Sequence, residues 1–223
     1  MSFRIITIDG PAGAGKSTVS RALSKKLGCI YVDTGALYRG VAYEIMHQQV
    51  DWEDDELLKI FLKQLDLNFI MKNDELVLMS SGKDISGKIR TSRISMLASA
   101  SSAKPIVRSA LLGIQQNIAK SQDAVFEGRD MGTVVFPQAS YKFFLFADLS
   151  VRAKRRYDEL SGKLSDESTD IGQIQMEMQK RDTNDSQRQS APLKKADDAI
   201  EIDSTLLSIA QVVEKMFQII VKA

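Results

Sequence analysis

The chain has 223 residues, 43% of them hydrophobic, and 30 Lys and Arg against 29 Asp and Glu leave a formal net charge of +1. That length and apolar content fit one α/β domain with room for a small inserted subdomain, and the near-neutral balance points to neither nucleic acid nor an anionic membrane as partner. A lone cysteine, Cys29, excludes an intrachain disulfide. The single histidine, His47, argues against a His-based zinc site or a His-dependent triad. The start lacks the basic and apolar regions of a signal peptide, and no run reaches the ~18 apolar residues of a membrane span. A soluble cytoplasmic protein is expected, with a monomer as the default because no exposed apolar stripe demands a dimer.

The first element is an apolar, β-branched run, Phe3 to Ile8, read as a strand. Gly10-Pro11-Ala12-Gly13-Ala14-Gly15-Lys16-Ser17-Thr18 follows, then a helical pattern on Val19, Ala22, Leu23 and Leu27. Strand, glycine-rich loop and helix form the context that makes G-x-x-x-x-G-K-[ST] a P-loop. Its glycines let backbone N–H groups curl around phosphate, and the helix N-terminus adds partial positive charge. Lys16 reaches toward β- and γ-phosphates, and the Ser17 hydroxyl suits Mg²⁺. A nucleoside triphosphate with Mg²⁺ is the ligand this loop implies.

A second strand, Cys29 to Asp33, ends on a carboxylate, and Thr34-Gly35 opens a helix through Leu37, Val41 and Ile45. Asp33 is open to two readings, a helix cap and a group that orients Mg²⁺ through water. Asp51 to Leu65 reads as an amphipathic helix. The period then changes, and 67–71, a Lys72-Asn73-Asp74 turn and 75–79 read as a β-hairpin, followed by turn chemistry to Gly87. A small-residue helix is expected from about Ile89 to Ser101. Another runs from Ile106 to Ala119, with Pro105 in its first turn. Arg108 lies near its start, read either as a surface arginine or as a ligand group.

Ala124 to Asp130 reads as a buried strand carrying Arg129-Asp130 toward its carboxyl end, where open α/β sheets bind ligands. Tyr141 to Ala147 is a further strand. Leu149 to Leu160 is a helix with Arg152, Arg155 and Arg156, whose ordinary reading is a solvated face. The polar stretch 161–170 reads as a mobile flap. Ile171 to Arg188 returns to helical patterning, with Arg181, Asp185 and Arg188 on one face and Asp182 as a second acid beside them. Ala199 to Ile202 is a fifth strand, and Asp203-Ser204-Thr205 is expected to cap a last amphipathic helix beginning near Leu206. The arginines exceed what one nucleotide needs, and the arginine fork suits phosphate oxygens. Transfer of a phosphoryl group between two phosphorylated ligands follows, a reaction that rests on positioning and charge neutralisation.

Five segments, in order, carry a resemblance. They are 6–18 (Ile-Thr-Ile-Asp-Gly-Pro-Ala-Gly-Ala-Gly-Lys-Ser-Thr), 33–39 (Asp-Thr-Gly-Ala-Leu-Tyr-Arg), 84–90 (Asp-Ile-Ser-Gly-Lys-Ile-Arg), 128–137 (Gly-Arg-Asp-Met-Gly-Thr-Val-Val-Phe-Pro), and 181–193 (Arg-Asp-x-x-Asp-Ser-x-Arg with Ala-Pro-Leu). Together they resemble the bacterial cytidylate kinases over residues 5 to about 218. The resemblance implies a P-loop NTPase-type, doubly wound, five-stranded parallel sheet with an inserted β-hairpin/helix acceptor-binding subdomain and a helical lid. It divides a single kinase domain into a core of 1–65, 103–150 and 196–223, an insert of about 66–102 and a lid of about 155–190. The implied reaction is transfer of the γ-phosphoryl of ATP to CMP or dCMP. By motif match, Arg39 and Arg129 hold the acceptor phosphate. Thr34, Ser99, Arg108 and Asp130 line the acceptor site and read cytosine, whose 4-amino group a carboxylate can accept from. Asp185 and Arg188 reach the acceptor from the lid, and Arg181 and Arg188 neutralise the transferring phosphoryl with Lys16 and Arg129. Thr34 replaces a serine common among relatives but keeps the hydroxyl, and positions 184 and 186 are Asn and Ser where some members carry further lid arginines. Two alternatives stand beside this reading: a kinase for UMP or AMP, and a P-loop nucleotide switch.

Overall fold

The computed structural model describes residues 3–73, 75–161 and 170–222. Five strands form one sheet in the order β2-β6-β1-β7-β8: β1 Ile5–Asp9, β2 Ile30–Asp33, β6 Ala124–Gly128, β7 Tyr141–Phe146 and β8 Ile200–Asp203. Every pairing between them is parallel. The register brings the carboxyl ends level, with Asp9 beside Gly128 and Asp33 beside Glu127. This levelling places the groups that follow β1, β2 and β6 along one edge.

Near-continuous apolar strands need cover on both faces. Helices α1 (Lys16–Leu27) and α8 (Ile209–Lys222) supply it on one side. There Val19, Leu23, Val212 and Met216 pack with Ile6, Ile8, Phe143 and Leu145, all buried. On the other side Val32, Phe126 and Met131 meet Leu112 and Ile118 of α5 (Pro105–Ile118). A third core joins α2 (Thr34–Gln48) to α3 (Asp55–Gln64), α4 (Ser92–Ser101) and α5 through Leu37, Val41, Leu58, Ile94 and Leu111. The whole is a P-loop NTPase-type α/β fold.

The expected hairpin is a three-stranded antiparallel sheet, separate from the main one: β3 Leu67–Lys72, β4 Glu75–Ser80 and the two-residue β5 Lys83–Asp84. Ser81 and Gly82 turn the chain with φ of 46° and 73°, which lets β5 return along β4. Leu78 of this sheet packs so closely on α2 that a Cβ at Gly40 would lie 2.8 Å from it.

Several expected boundaries shift for local reasons. Asp54 accepts from the backbone N–H groups of Glu56 and Leu57 and so starts α3 four residues after Asp51. Thr91 caps α4 through the N–H of Ile94, leaving Ile89 outside the helix. The expected cap at Asp203-Ser204-Thr205 does not start α8. Asp203 is used up on Thr205, and Ser208 with Gln211 makes the reciprocal bonds of a capping box. Leu206 therefore sits outside α8 at 93% exposure, not in the core. Strand β6 stops at Gly128, and a π-helical turn, Met131–Val135, follows Arg129 and Asp130. Most of the expected 161–170 flap, residues 162–169, lies outside the described residues. Helices α6 (Leu149–Ser161) and α7 (Ile171–Gln187) flank it. No helix among the described residues is long and apolar enough to cross a membrane.

Candidate active site

Asp9 ends β1, and Gly10 to Gly15 form the loop before α1. Gly10 adopts φ 148°, and a Cβ there would lie 1.9 Å from the Leu145 carbonyl oxygen, so the loop threads directly against β7. Gly13 and Gly15 also take positive φ, of 72° and 87°. Among the loop's other members, Ala12 and Ala14 are buried, Pro11 is half-buried, and Ser17 and Thr18 are exposed in the first turn of α1. Lys16 is buried and its ammonium donates to the Pro11 carbonyl at 2.7 Å. Burial first, and then the Arg129 charge, push its pKa down to about 7. A lysine that must be desolvated and sits among cations gains most from an anion.

The Ser17 hydroxyl donates to Glu127 Oε1 at 2.8 Å, and the Tyr31 hydroxyl donates to Glu127 Oε2 at 2.5 Å. The Thr34 hydroxyl donates to the Glu127 carbonyl at 2.6 Å. One residue at the end of β6 thus ties the P-loop helix to β2 and α2. Sequence reading passed over Glu127; its signal is a carboxylate directly before Gly128-Arg129-Asp130 at a strand end. Asp9 was passed over as well. It is buried and accepts from the N–H groups of Met131 and Gly132 at 2.9 and 2.8 Å. Burial outweighs those bonds and raises its pKa to about 6. Asp9 fixes the turn that follows Arg129 and Asp130 against the strand that leads into the P-loop.

Asp33 accepts from the Ala36 N–H, which makes it the N-cap of α2. It also pairs with Arg39 at 2.7 Å and Arg90 at 3.4 Å. The cap reading holds, and the carboxylate is committed to arginines. Arg108 is buried, against its surface reading, because it pairs with Asp130 and lies over the Tyr38 ring at 5.2 Å. Arg188 approaches Asp130 at 3.7 Å and donates to Ser102 Oγ at 3.0 Å. Ser99 donates to Asp185 Oδ1 at 2.9 Å, and Arg129 donates to Asp185 Oδ2 at 3.2 Å. Burial opposes the Asp185 charge, but Arg129, Arg181, Arg188 and the Ser99 bond prevail and hold its carboxyl below the usual range.

The geometry joins Ser99, Arg108, Arg129, Asp130, Asp185 and Arg188 into one continuous cluster, with Arg39 on Asp33 at the neighbouring strand end. Arg181 is the looser member: its Nε lies 3.9 Å from Asp185 and has no hydrogen-bond partner. Burial and the Arg129 charge lower its pKa to about 10. Arg39 Nε and Arg188 Nη2 are likewise buried donors without a hydrogen bond. Buried donors of this kind are rare and costly; of the four such arginine nitrogens among the described residues three belong to this cluster, the fourth being Arg4 Nε, and an anion is the ligand that would satisfy them. Of the α6 arginines, Arg152 is buried and Arg155 donates to Ser204, which corrects the expected solvated face.

Residues 6–222 match the family model described as Cytidylate kinase. A cytidylate kinase of Syntrophotalea carbinolica is 44% identical over 97% of this chain and 91% of its own length. One of Geobacter sulfurreducens is 43% identical over 97% and 92%. A solved structure of an uncharacterized protein from Eubacterium ventriosum aligns over 99% of both chains with a TM-score of 0.50 at 15% identity, a likeness of fold alone. By extent and identity of these matches, the chain belongs to the cytidylate kinase family.

Proposed function

We propose that the protein transfers the γ-phosphoryl group of ATP to CMP or dCMP, as a monomer acting on small nucleotides. One observation carries this reading: buried donors of Arg39, Arg181 and Arg188 that make no hydrogen bond lie by the edge where the P-loop and the Arg129-Asp130 turn meet. Membership of the cytidylate kinase family supports it.

The P-loop amides and Lys16 hold the donor phosphates. Arg39 and Arg129 hold the acceptor phosphate. Thr34, Ser99, Arg108 and Asp130 line the base site, and Asp130 accepts from the cytosine 4-amino group. Uracil offers no donor there, and a buried polar group left unpaired discriminates strongly. Asp185 and Arg188 contact the acceptor from α7, and Arg181 and Arg188 neutralise the charge on the group in flight. An ionised acceptor phosphate needs no strong base. Residues 66–102 serve as the acceptor-binding insert and 155–190 as the lid.

Ser17 and Glu127 bring a hydroxyl and a carboxylate oxygen within 2.8 Å, a hard-oxygen pair of the kind Mg²⁺ takes. They would hold the ion, which when bound neutralises phosphate charge.

A panel of nucleoside monophosphates with ATP, read by coupled ADP release, tests the assignment. CMP and dCMP are expected to be turned over well above UMP and AMP. Preference for UMP or AMP would assign another acceptor, and ADP release independent of any monophosphate would make the protein a nucleotide switch.

A further inference from the structure

Helix α7 touches both halves of the site with two faces. Arg181, Asp185 and Arg188 lie toward the acceptor cluster, where Asp185 meets Ser99 and Arg129. Ile174, Met178 and Asp182, at i, i+4 and i+8, lie toward the P-loop and α6. Ile174 and Met178 pack with Ala12 and Ala153. A Cβ on Gly13 would lie 2.4 Å from the Met178 methyl, so this side chain of α7 sits directly against the loop.

Asp182 closes the contact with polar bonds. Its Oδ1 accepts from the Ala12 backbone N–H at 3.0 Å, and its Oδ2 accepts from Arg152 Nη1 at 2.5 Å. Arg152, itself buried, donates from the same nitrogen to the Ala12 carbonyl at 2.8 Å and from Nε to the Ala147 carbonyl at 2.8 Å. P-loop, α6 and α7 are thus clasped at one carboxylate. The neighbouring Arg181 has no such anchor to another element: its Nε makes no hydrogen bond, and its ion pair, at 3.9 Å, is with Asp185 one turn along the same helix. Where Arg181 sits is therefore decided by where the helix sits.

We propose that Asp182 is a positioning residue for phosphoryl transfer: its clasp with Ala12 and Arg152 sets the distance of α7 from the P-loop, and so places Arg181 over the transferring group. This rests on the reading of Arg181 as the group that neutralises the phosphoryl. Small misplacements of a charge-stabilising group cost rate much more than affinity.

The test is a double-mutant cycle on the full chain, with steady-state kinetics and thermal melting for each variant. Asp182→Asn is expected to lower kcat about tenfold, with KM for ATP and CMP within about twofold. Arg181→Met is expected to lower kcat about a hundredfold. Adding Asp182→Asn to Arg181→Met should cost less than about twofold more, because the group being positioned has gone. Asp182→Glu keeps the charge and the ion pair but lengthens the clasp by one methylene. It should lose kcat similarly, and it carries the same cycle if Asp182→Asn does not fold. Near-normal kcat in both Asp182 variants, or an equal loss on the Arg181→Met background, overturns the proposal. Normal kcat in Arg181→Met alone overturns the reading of Arg181 on which it rests.

Discussion

The two halves of the proposed site, donor and acceptor, are built in opposite ways. The donor half is nine consecutive residues, Gly10 to Thr18, and its chemistry is mostly backbone: glycines at φ values open to them and a helix N-terminus. The acceptor half is side chains drawn from α2, α4, α5, the β6 turn and α7, held together by Arg108–Asp130, Arg129–Asp185 and Ser99–Asp185 contacts. A contiguous backbone cradle meets phosphate through amides and carries no side chain that reads a base. A scattered cluster of paired charges depends on every element that contributes to it, and in return can be selective.

Removing the donor half's one charged side chain should have the largest effect. Lys16→Ala is expected to lower kcat roughly a thousandfold with folding intact, because the phosphate charge then loses its buried cation. Initial rates at saturating ATP and CMP, with a melting curve, check it; turnover near normal would remove Lys16 from the chemistry. Next comes the acceptor half. Asp130→Asn is expected to reduce the preference for CMP over UMP by about 10- to 100-fold while changing ATP KM little. An unchanged CMP/UMP ratio of kcat/KM would place base reading elsewhere.

A subtler difference is protonic. With its pKa lowered to about 7, Lys16 is mostly neutral at pH 8.5, and polyphosphate beside it favours the charged form. ATP binding at that pH should take up close to one proton, seen as a dependence of calorimetric heat on buffer ionisation enthalpy and absent in Lys16→Ala. The same lowering fixes a sign for stability. Between pH 7 and 10.5 the unfolded chain binds more protons than the folded one, so the Lys16 contribution to stability rises with pH across that window. The smallest effect is expected outside both halves. Leu206→Ser, at a side chain 93% exposed, should move stability by less than about 0.5 kcal/mol.

What was legible in the sequence follows the same division. The P-loop, the five strands and the Arg181/Asp185/Arg188 face were readable because spacing along the chain encodes them. Arg108 could be read two ways, since its burial depends on Asp130 and Tyr38, which only folding brings to it. Glu127 and Asp9 looked like the last polar residues of buried strands. Their partners, Ser17 and Tyr31 for one, the Met131 and Gly132 amides for the other, are local to neither. The start of α8 was misplaced because Asp203-Ser204-Thr205 has the composition of a cap, while the reciprocal bonds are made by Ser208 and Gln211.

The central place of β1 has a consequence for how the protein is made. Its partners are β6 and β7, and the first pairing, Ile5 with Ala124, spans 119 residues of chain (124 less 5). At roughly 5–20 residues per second on the ribosome, β1 waits on the order of 6–24 s before its first neighbour is synthesised. Until then β1 has only α1 beside it, through Val19 and Leu23 on Ile6 and Ile8, and both of its strand edges are open to wrong partners. Growing chains stalled before residue 124 should accordingly be bound by holdase chaperones and cut readily by protease, and chains extended beyond β7 much less so.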